Sequence, residues 1–270
     1  MPRTGRPGGV EIHTEQVGEG PLVVLAPHCL LHPAVFQPIT ADLAADHRVI
    51  RYDARGTGAS TDAGPHDMQT GAGDLAAVIE AAGESAVVVC LADATNRAVR
   101  AGAERPELIE AIVVVGGLPA GRDRLEGTDA MVTFDTVVEA MLSMVENDYR
   151  GALRSLVTAG NPQMSDDELR ERVRLQAEYI PQPVAATRLR AWAEDDALEF
   201  GRSCGERLHL LYAEDMGGGW FPTGRSAVAL AQRLFPEAQV HEVDDGIVSR
   251  PDLAAAVVRG ITADTRTPAR

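Results

Sequence analysis

Five residues that can carry out acid–base or nucleophilic chemistry each lie shortly after an apolar, strand-like segment of the sequence. They are His28, Cys29, His32, Asp93 and Asp215. Because the carboxyl ends of parallel strands meet at one edge of a sheet, where open α/β sheets bind their ligands, we expect these residues to line one site. A carboxylate or an imidazole there can remove a proton from a substrate, and a thiolate or a carboxylate can attack one.

Each of these side chains also has a structural interpretation. A free cysteine is usually a small buried hydrophobe, and the sequence places no evident positive cluster beside Cys29. Asp93 precedes a predicted helix, where the helix dipole favours an anion. Asp215 is either an unpartnered carboxylate in an apolar cleft or one that is bonded to loop amides. The sequence leaves both alternatives open for Asp215.

The composition limits the kinds of partner. The chain has 270 residues, of which 45% are hydrophobic, and a formal net charge of -15. This acidic balance argues against a nucleic-acid surface, which requires clustered Lys and Arg. The three cysteines fit neither a CxxC metal pattern nor a disulfide framework, so we predict a cytoplasmic protein without a bound metal. The segment Gly217–Trp220 lacks the Gly-Lys-Ser or Gly-Lys-Thr of a phosphate loop, and we expect no cofactor.

The expected partner is a small molecule or a modified peptide. The first residues contain no apolar core of a signal peptide, and no apolar run approaches the ~20 residues of a membrane span, so we expect no membrane contact. The oligomeric state is left open.

Hydrophobic periodicity predicts alternating strands and helices. The predicted strands are 10–17, 21–27, 48–52, 85–92, 109–115, 208–212 and 239–243, and the predicted helices that alternate with them are 33–45, 68–82, 95–104, 226–234 and 251–261. Such alternation implies a parallel sheet that is covered by helices on both faces. The tail from Thr262 onward is predicted to be frayed.

A helical insertion interrupts this alternation between residues 118 and 205. The predicted helices are 133–145, 149–158, 165–179 and 184–199, and Ser165 with Glu168 has the spacing of a capping box. We expect one domain with a core of residues 1–117 and 206–270 and a lid of residues 118–205. The lid would lie over the carboxyl ends of the strands.

Several segments resemble the α/β-hydrolase fold superfamily. His28-Cys29 after a buried strand is similar to the family's His-Gly segment, whose following amide helps to form the oxyanion hole. Residues 52–60 (YDARGTGAS) are similar to its strand-to-loop signature, and Ala103–Glu107 resembles the segment after its nucleophile helix. The resemblance covers nearly the whole chain. It implies an α/β-hydrolase fold, with a mostly parallel central sheet flanked by helices. It also implies a helical lid inserted after the family's sixth strand, which corresponds to Ile109–Val115 in this sequence.

The departures from the family concern its catalytic residues. The family's nucleophile elbow corresponds to Cys90–Thr95, which keeps small flanking residues but has Ala92 in the nucleophile's place. Ile247 stands at the position of the catalytic histidine, whereas Asp215 matches the acid. A one-residue shift would make Asp93 the nucleophile, but no histidine would remain to hydrolyse the ester. The resemblance therefore implies the fold without the chemistry of a serine hydrolase.

The predicted site follows from these matches. Its catalytic candidates are Asp215 and Asp93. The residues predicted to contact a ligand are His28, Cys29, Leu30, His32, Ala92, Phe134, Met141, Trp192, Trp220, Ile247 and Val248.

Two classes of function fit a pocket that has lost the serine and the histidine. In the first, backbone amides stabilise an enolate while a base moves a proton on and off a carbon next to a carbonyl group. The base would be Asp215, Asp93, His32 or a carboxylate of the substrate. A group with the same two losses, the atypical epimerases of bottromycin biosynthesis, inverts an aspartyl residue of a macrocyclic ribosomal peptide, and the chain resembles it in size and composition.

Other natural-product tailoring enzymes on this fold, such as lyases and cyclases, are rivals within this first class. The second class is a catalytically inactive binding or carrier protein that encloses an apolar ligand under its lid.

Overall fold

The computed structural model describes residues 3–6, 9–126, 129–161, 163–213, 224–243 and 251–266. The strands are Arg3–Arg6 (β1), Val10–Val17 (β2), Leu22–Ala26 (β3), Arg48–Tyr52 (β4), Ala86–Leu91 (β5), Ile109–Val115 (β6), Leu208–Ala213 (β7) and Gln239–Val243 (β8). They form one sheet in the order β1-β2-β4-β3-β5-β6-β7-β8. β2 pairs antiparallel with β1 and β4, and all the other pairs are parallel. The predicted mostly parallel sheet is confirmed.

The helices that cover the sheet are Gln37–Leu43 (α1), Met68–Ala82 (α2), Ala94–Glu104 (α3), Gly224–Leu234 (α9) and Pro251–Arg266 (α10). α1 and α10 pack on one face of the sheet, whereas α2, α3 and α9 pack on the other. The three central strands β3, β5 and β6 are buried almost throughout, because both of their faces meet helices. This burial explains their continuous Val-rich sequences.

In the described part of the chain between β6 and β7, the α-helices are Asp129–Asn147 (α4), Tyr149–Gly160 (α5), Asp166–Tyr179 (α6), Gln182–Ala193 (α7) and Leu198–Cys204 (α8). Ser165 and Glu168 form the predicted capping box at the start of α6. α4 to α7 share an apolar cluster that also contains Cys29 and Leu30. The loop after β3 is therefore packed directly beneath these inserted helices.

The structure corrects the sequence prediction in the last part of the insertion. Residues 184–199 were expected to form one helix, but α7 ends at Ala193 and α8 begins at Leu198. Asp196 breaks the helix because its carboxylate accepts hydrogen bonds from the backbone N–H groups of Gly121 and Leu198. The side chains of α8 then join the main core rather than the cluster of α4 to α7.

Further elements also differ from the prediction. β1 is an unexpected strand, because its sequence RTGR has no apolar alternation. The helix predicted at 33–45 begins as a 3-10 turn at Pro33–Phe36, before α1. The predicted frayed tail is wrong as far as Arg266, since α10 continues to that residue and the Thr262 hydroxyl contacts the His47 ring.

None of the helices in the described ranges combines the length and the apolar character that crossing a membrane would require.

Candidate functional site

The turn between β5 and α3 has a strained tip at Ala92. Ala92 has φ 45°, and it is the one non-glycine residue with a positive φ in the part of the chain that the structure describes. Its N–H donates to the Val115 carbonyl, and its own carbonyl accepts from Thr95 N–H. A side chain on Gly117 would approach the Ala92 carbonyl oxygen to 2.9 Å, so the glycine allows β6 to lie close to this turn. The tight geometry is retained, but its tip bears only a methyl group.

Asp93, directly after the tip, is buried with 2% of its surface exposed. One carboxylate oxygen accepts from Cys29 N–H at 3.0 Å and lies 3.4 Å from His28 Nε2, while the other accepts from the Arg97 guanidinium at 3.0 Å. Burial alone would raise the pKa of Asp93, but His28, Arg97, Arg188 and the Cys29 N–H outweigh it, so the pKa is lowered. Asp93 is therefore an ionised and fully engaged carboxylate, which is a poor base and a poor nucleophile.

His28 braces the loop after β3. Its Nδ1 accepts from Leu30 N–H at 2.9 Å, so the ring proton lies on Nε2, which faces Asp93. Burial lowers the pKa of His28 more than the neighbouring carboxylate raises it, so the pKa lies below its usual value. The backbone N–H groups of Cys29 and Leu30 are thus both bonded to protein side chains. In the observed conformation neither is free to stabilise a substrate oxyanion.

The Cys29 thiol is buried and unreactive in character. The residue is 1% exposed and belongs to the apolar cluster of the inserted helices. Desolvation and the charge of Asp93 raise the pKa of Cys29 well above its usual range, despite the nearby Arg188 and Arg97. Since the thiolate is the reactive form, this position favours the structural interpretation of the cysteine.

Ligand atoms of His28, Cys29 and Asp93 lie within 4.8 Å of one another, a spacing that a metal ion could bridge. The surrounding charge opposes this, because the buried guanidinium groups of Arg97 and Arg188 act on the same three residues. A metal would also need the Cys29 thiolate, which burial disfavours. The cluster is better suited to an anion than to a cation.

Sequence reasoning missed two buried arginines near Asp93, namely Arg97 and Arg188. Arg97 lies one turn after Asp93 on α3, and it donates to the Pro27 carbonyl as well as to Asp93. Arg188 lies on the buried face of α7 among Val184, Ala185 and Leu189. An arginine among apolar residues at helical spacing was the available signal for Arg188.

The remaining described candidates lie around this cluster. His32 is half-buried, and its Nδ1 accepts from Ala34 N–H while its ring packs edge-on against Tyr179 at 4.8 Å. Because Nδ1 accepts, Nε2 carries the proton, and His32 is not arranged as a base. Met141 is buried in the apolar cluster of the inserted helices. Trp192 is half-buried and packs against the same cluster.

Five predicted residues cannot be placed. The side chain of Phe134 and all of Asp215, Trp220, Ile247 and Val248 lie outside what the structure describes. Their roles stay predictions. β7 ends at Ala213, two residues before Asp215, at the same sheet edge as the Ala92 turn. Among the predicted site residues that the structure describes, those that lie together are His28, Cys29, Leu30, Ala92 and Asp93.

The sequence matches no protein-family profile and no curated protein sequence. Solved structures do match. A bromoperoxidase from Bacillus anthracis is 19% identical with a TM-score of 0.75, covering 94% of this chain and 96% of its own. An esterase from Exiguobacterium antarcticum is 14% identical with a TM-score of 0.80, covering 96% and 98%. An E-2-(acetamidomethylene)succinate hydrolase is 17% identical with a TM-score of 0.72, covering 97% and 98%. The chain has the α/β-hydrolase fold, as its motifs predicted.

Proposed function

We propose that this protein is a non-hydrolytic enzyme of the α/β-hydrolase fold that removes and returns a proton at a carbon next to a carbonyl group. The observation that carries the proposal is Ala92, which holds the strained tip of the turn with φ 45° but has no atom that can attack a substrate. Asp93 does not replace a nucleophile, since both of its oxygens are engaged. This turn therefore has no nucleophile that could form a covalent intermediate with a substrate.

Charge at the site supports an anionic intermediate. Asp93 balances one guanidinium, whereas Arg188 has no carboxylate within 4.0 Å in the described part of the chain. A buried positive charge stabilises the negative charge that develops on an enolate oxygen. Because the N–H groups of Cys29 and Leu30 are occupied, this stabilisation would come from the arginines rather than from those amides.

The base in this proposal is Asp215 or a carboxylate of the substrate. In His28 and His32, Nδ1 already accepts from a backbone N–H group. In Asp93, hydrogen bonds from Cys29 and Arg97 occupy both carboxylate oxygens. The narrowest form of the proposal is epimerisation of an aspartyl residue in a macrocyclic peptide. That form rests on the shared losses at Ala92 and Ile247 and on size and composition.

Deuterium exchange tests the proposal. We expect the protein to introduce deuterium at the α-carbon of an aspartyl-containing cyclic peptide in deuterated buffer, measured by mass spectrometry. If Asp215 is the base, Asp215→Asn should slow the exchange by about 10²–10⁴-fold, the usual contribution of a general base. Asp166→Asn on the exposed start of α6 is the matched control and should keep the wild-type rate. Absence of exchange with this peptide would contradict the aspartyl epimerase.

A second candidate function is a lidded binding or carrier protein. The observation that favours it is that the polar groups after β3 and after the Ala92 turn hydrogen-bond to one another, so they are not available for catalysis. A carrier would be stabilised by its ligand and would release it chemically unchanged. A rise in melting temperature without deuterium uptake would therefore select this function over the enzyme.

A further inference from the structure

A cleft lies beside the Asp93 cluster, between α2, α3 and α7. It is narrow and partly open to solvent. Its polar lining includes Arg55, His66, Asp74, Arg97 and Arg188. The cleft is much smaller than the pocket of a drug-sized ligand, so it suits one small polar group rather than a whole large ligand.

Arg188 is an unusual residue for the wall of such a cleft. It is 3% exposed, yet both terminal nitrogens of its guanidinium lack a hydrogen-bond partner among the described residues. Arginine stays protonated in proteins, so this is a buried positive charge without a counterion. Burying such a charge is costly unless a partner of opposite charge is supplied.

The other buried charges of the cleft are already paired. Arg55 and Asp74 form a bidentate pair, with nitrogen–oxygen distances of 2.8 and 2.7 Å. Arg97 is paired with Asp93, although its Nε has no hydrogen-bond partner among the described residues. Among the buried charges that line the cleft, Arg188 is the one without a paired counterion in the described part of the chain.

The backbone makes room for this arrangement. A side chain on Gly71 of α2 would meet Cδ of Arg97 at 2.4 Å, so the glycine lets the arginine stem lie against the helix. His66 also lines the cleft, with a buried Nδ1 that has no partner among the described residues. Unpartnered polar atoms of three different segments therefore border one space.

We propose that this cleft is a binding site for the carboxylate group of a small molecule, received by the guanidinium of Arg188. A planar guanidinium fork matches the two oxygens of a carboxylate. Asp67 and Asp74 also line the cleft, and their charges disfavour a doubly charged group such as phosphate. The site does not depend on the proposed proton transfer, because binding can be measured without turnover.

Acetate is the probe for the test. At constant ionic strength, sodium acetate should raise the melting temperature of the wild type, whereas Arg188→Met should lose the shift, with at least a tenfold weaker apparent affinity. Arg190→Gln is the matched control, since it removes the same charge from the exposed face of α7, where Arg190 pairs with Glu146. Without acetate, Arg188→Met should melt no lower than the wild type, because an unpartnered buried charge has been removed.

An equal acetate shift in Arg188→Met would overturn the site. Equal shifts with chloride or phosphate would overturn the carboxylate assignment and indicate an adventitious ion only. A second measurement needs no variant: NMR titration of His66 in the wild type should show a higher pKa in acetate, because an added anion stabilises the imidazolium. An unchanged His66 titration would overturn the proposal even if Arg188→Met did not fold.

Discussion

Replacing Asp93 by alanine is expected to lower the free energy of unfolding by about 3–5 kcal/mol, the usual cost of removing one partner of a buried ion pair. The loss leaves the Arg97 guanidinium without its carboxylate and the Cys29 N–H without its acceptor. The charge of Asp93 also favours the protonated form of Arg188, and this electrostatic interaction is lost. Urea denaturation at pH 7, followed by circular dichroism, measures the change.

Asp93→Asn separates the charge from the hydrogen bond, and Glu171→Ala is the exposed control. Asp93→Asn should be less destabilising, because its amide oxygen can still accept from Cys29 N–H. Glu171→Ala, which removes a carboxylate of the exposed pair with Arg174, should have a much smaller effect than Asp93→Ala. A loss below about 1 kcal/mol for Asp93→Ala would contradict the assignment of Asp93 as the anchor of this cluster.

The pH dependence has a definite sign. Because the pKa of Asp93 is lowered in the folded state, its contribution to stability is fully present above the unfolded value, about 3.9. It is lost as the pH falls through the folded value. The difference between the wild type and Asp93→Ala should therefore shrink in acid.

At Ala92, valine is expected to destabilise the protein more than glycine does, which is the reverse of the order at an ordinary helical alanine. A left-handed backbone costs an L-residue about 1–2 kcal/mol, and it is a strong outlier for a β-branched side chain. Ala92→Val should therefore destabilise the protein by about 2 kcal/mol or more. Ala92→Gly should leave the stability unchanged or raise it by up to about 1 kcal/mol, because relief of strain outweighs the greater entropy of the unfolded chain.

Ala229, exposed in the middle of α9, provides the matched control. There Gly should cost about 0.5–1 kcal/mol and Val less than that. Thermal and urea unfolding of the four variants give the comparison. If Ala92→Gly is as destabilising as Ala229→Gly, the tip of the turn is not strained and the elbow geometry has been misassigned.

The fold was predictable because its signals are local. The apolar run of β6 and the helical period of α2 gave bounds that the structure reproduces. The break between α7 and α8 was not predictable, since it depends on Asp196 meeting Gly121, 75 residues away. The sequence alone cannot show that contact.

The candidate site was predictable in part. Motif spacing located Ala92 and Asp93 after β5 and His28 and Cys29 after β3, and the structure brings these residues together. Motif spacing did not show that the Cys29 N–H donates a hydrogen bond to Asp93, 64 residues away. For Arg188, helical spacing indicates burial among apolar residues, but only the tertiary contacts of the described residues show that it lacks a counterion.

Hydrolysis of simple aryl esters tests the central claim most directly, namely that this turn has lost its nucleophile. We expect the purified wild type to release the phenol at the rate of the buffer alone, and to form no covalent adduct with a fluorophosphonate. Saturable hydrolysis that is lost in Asp93→Asn would contradict the account, because it would make the buried carboxylate the nucleophile.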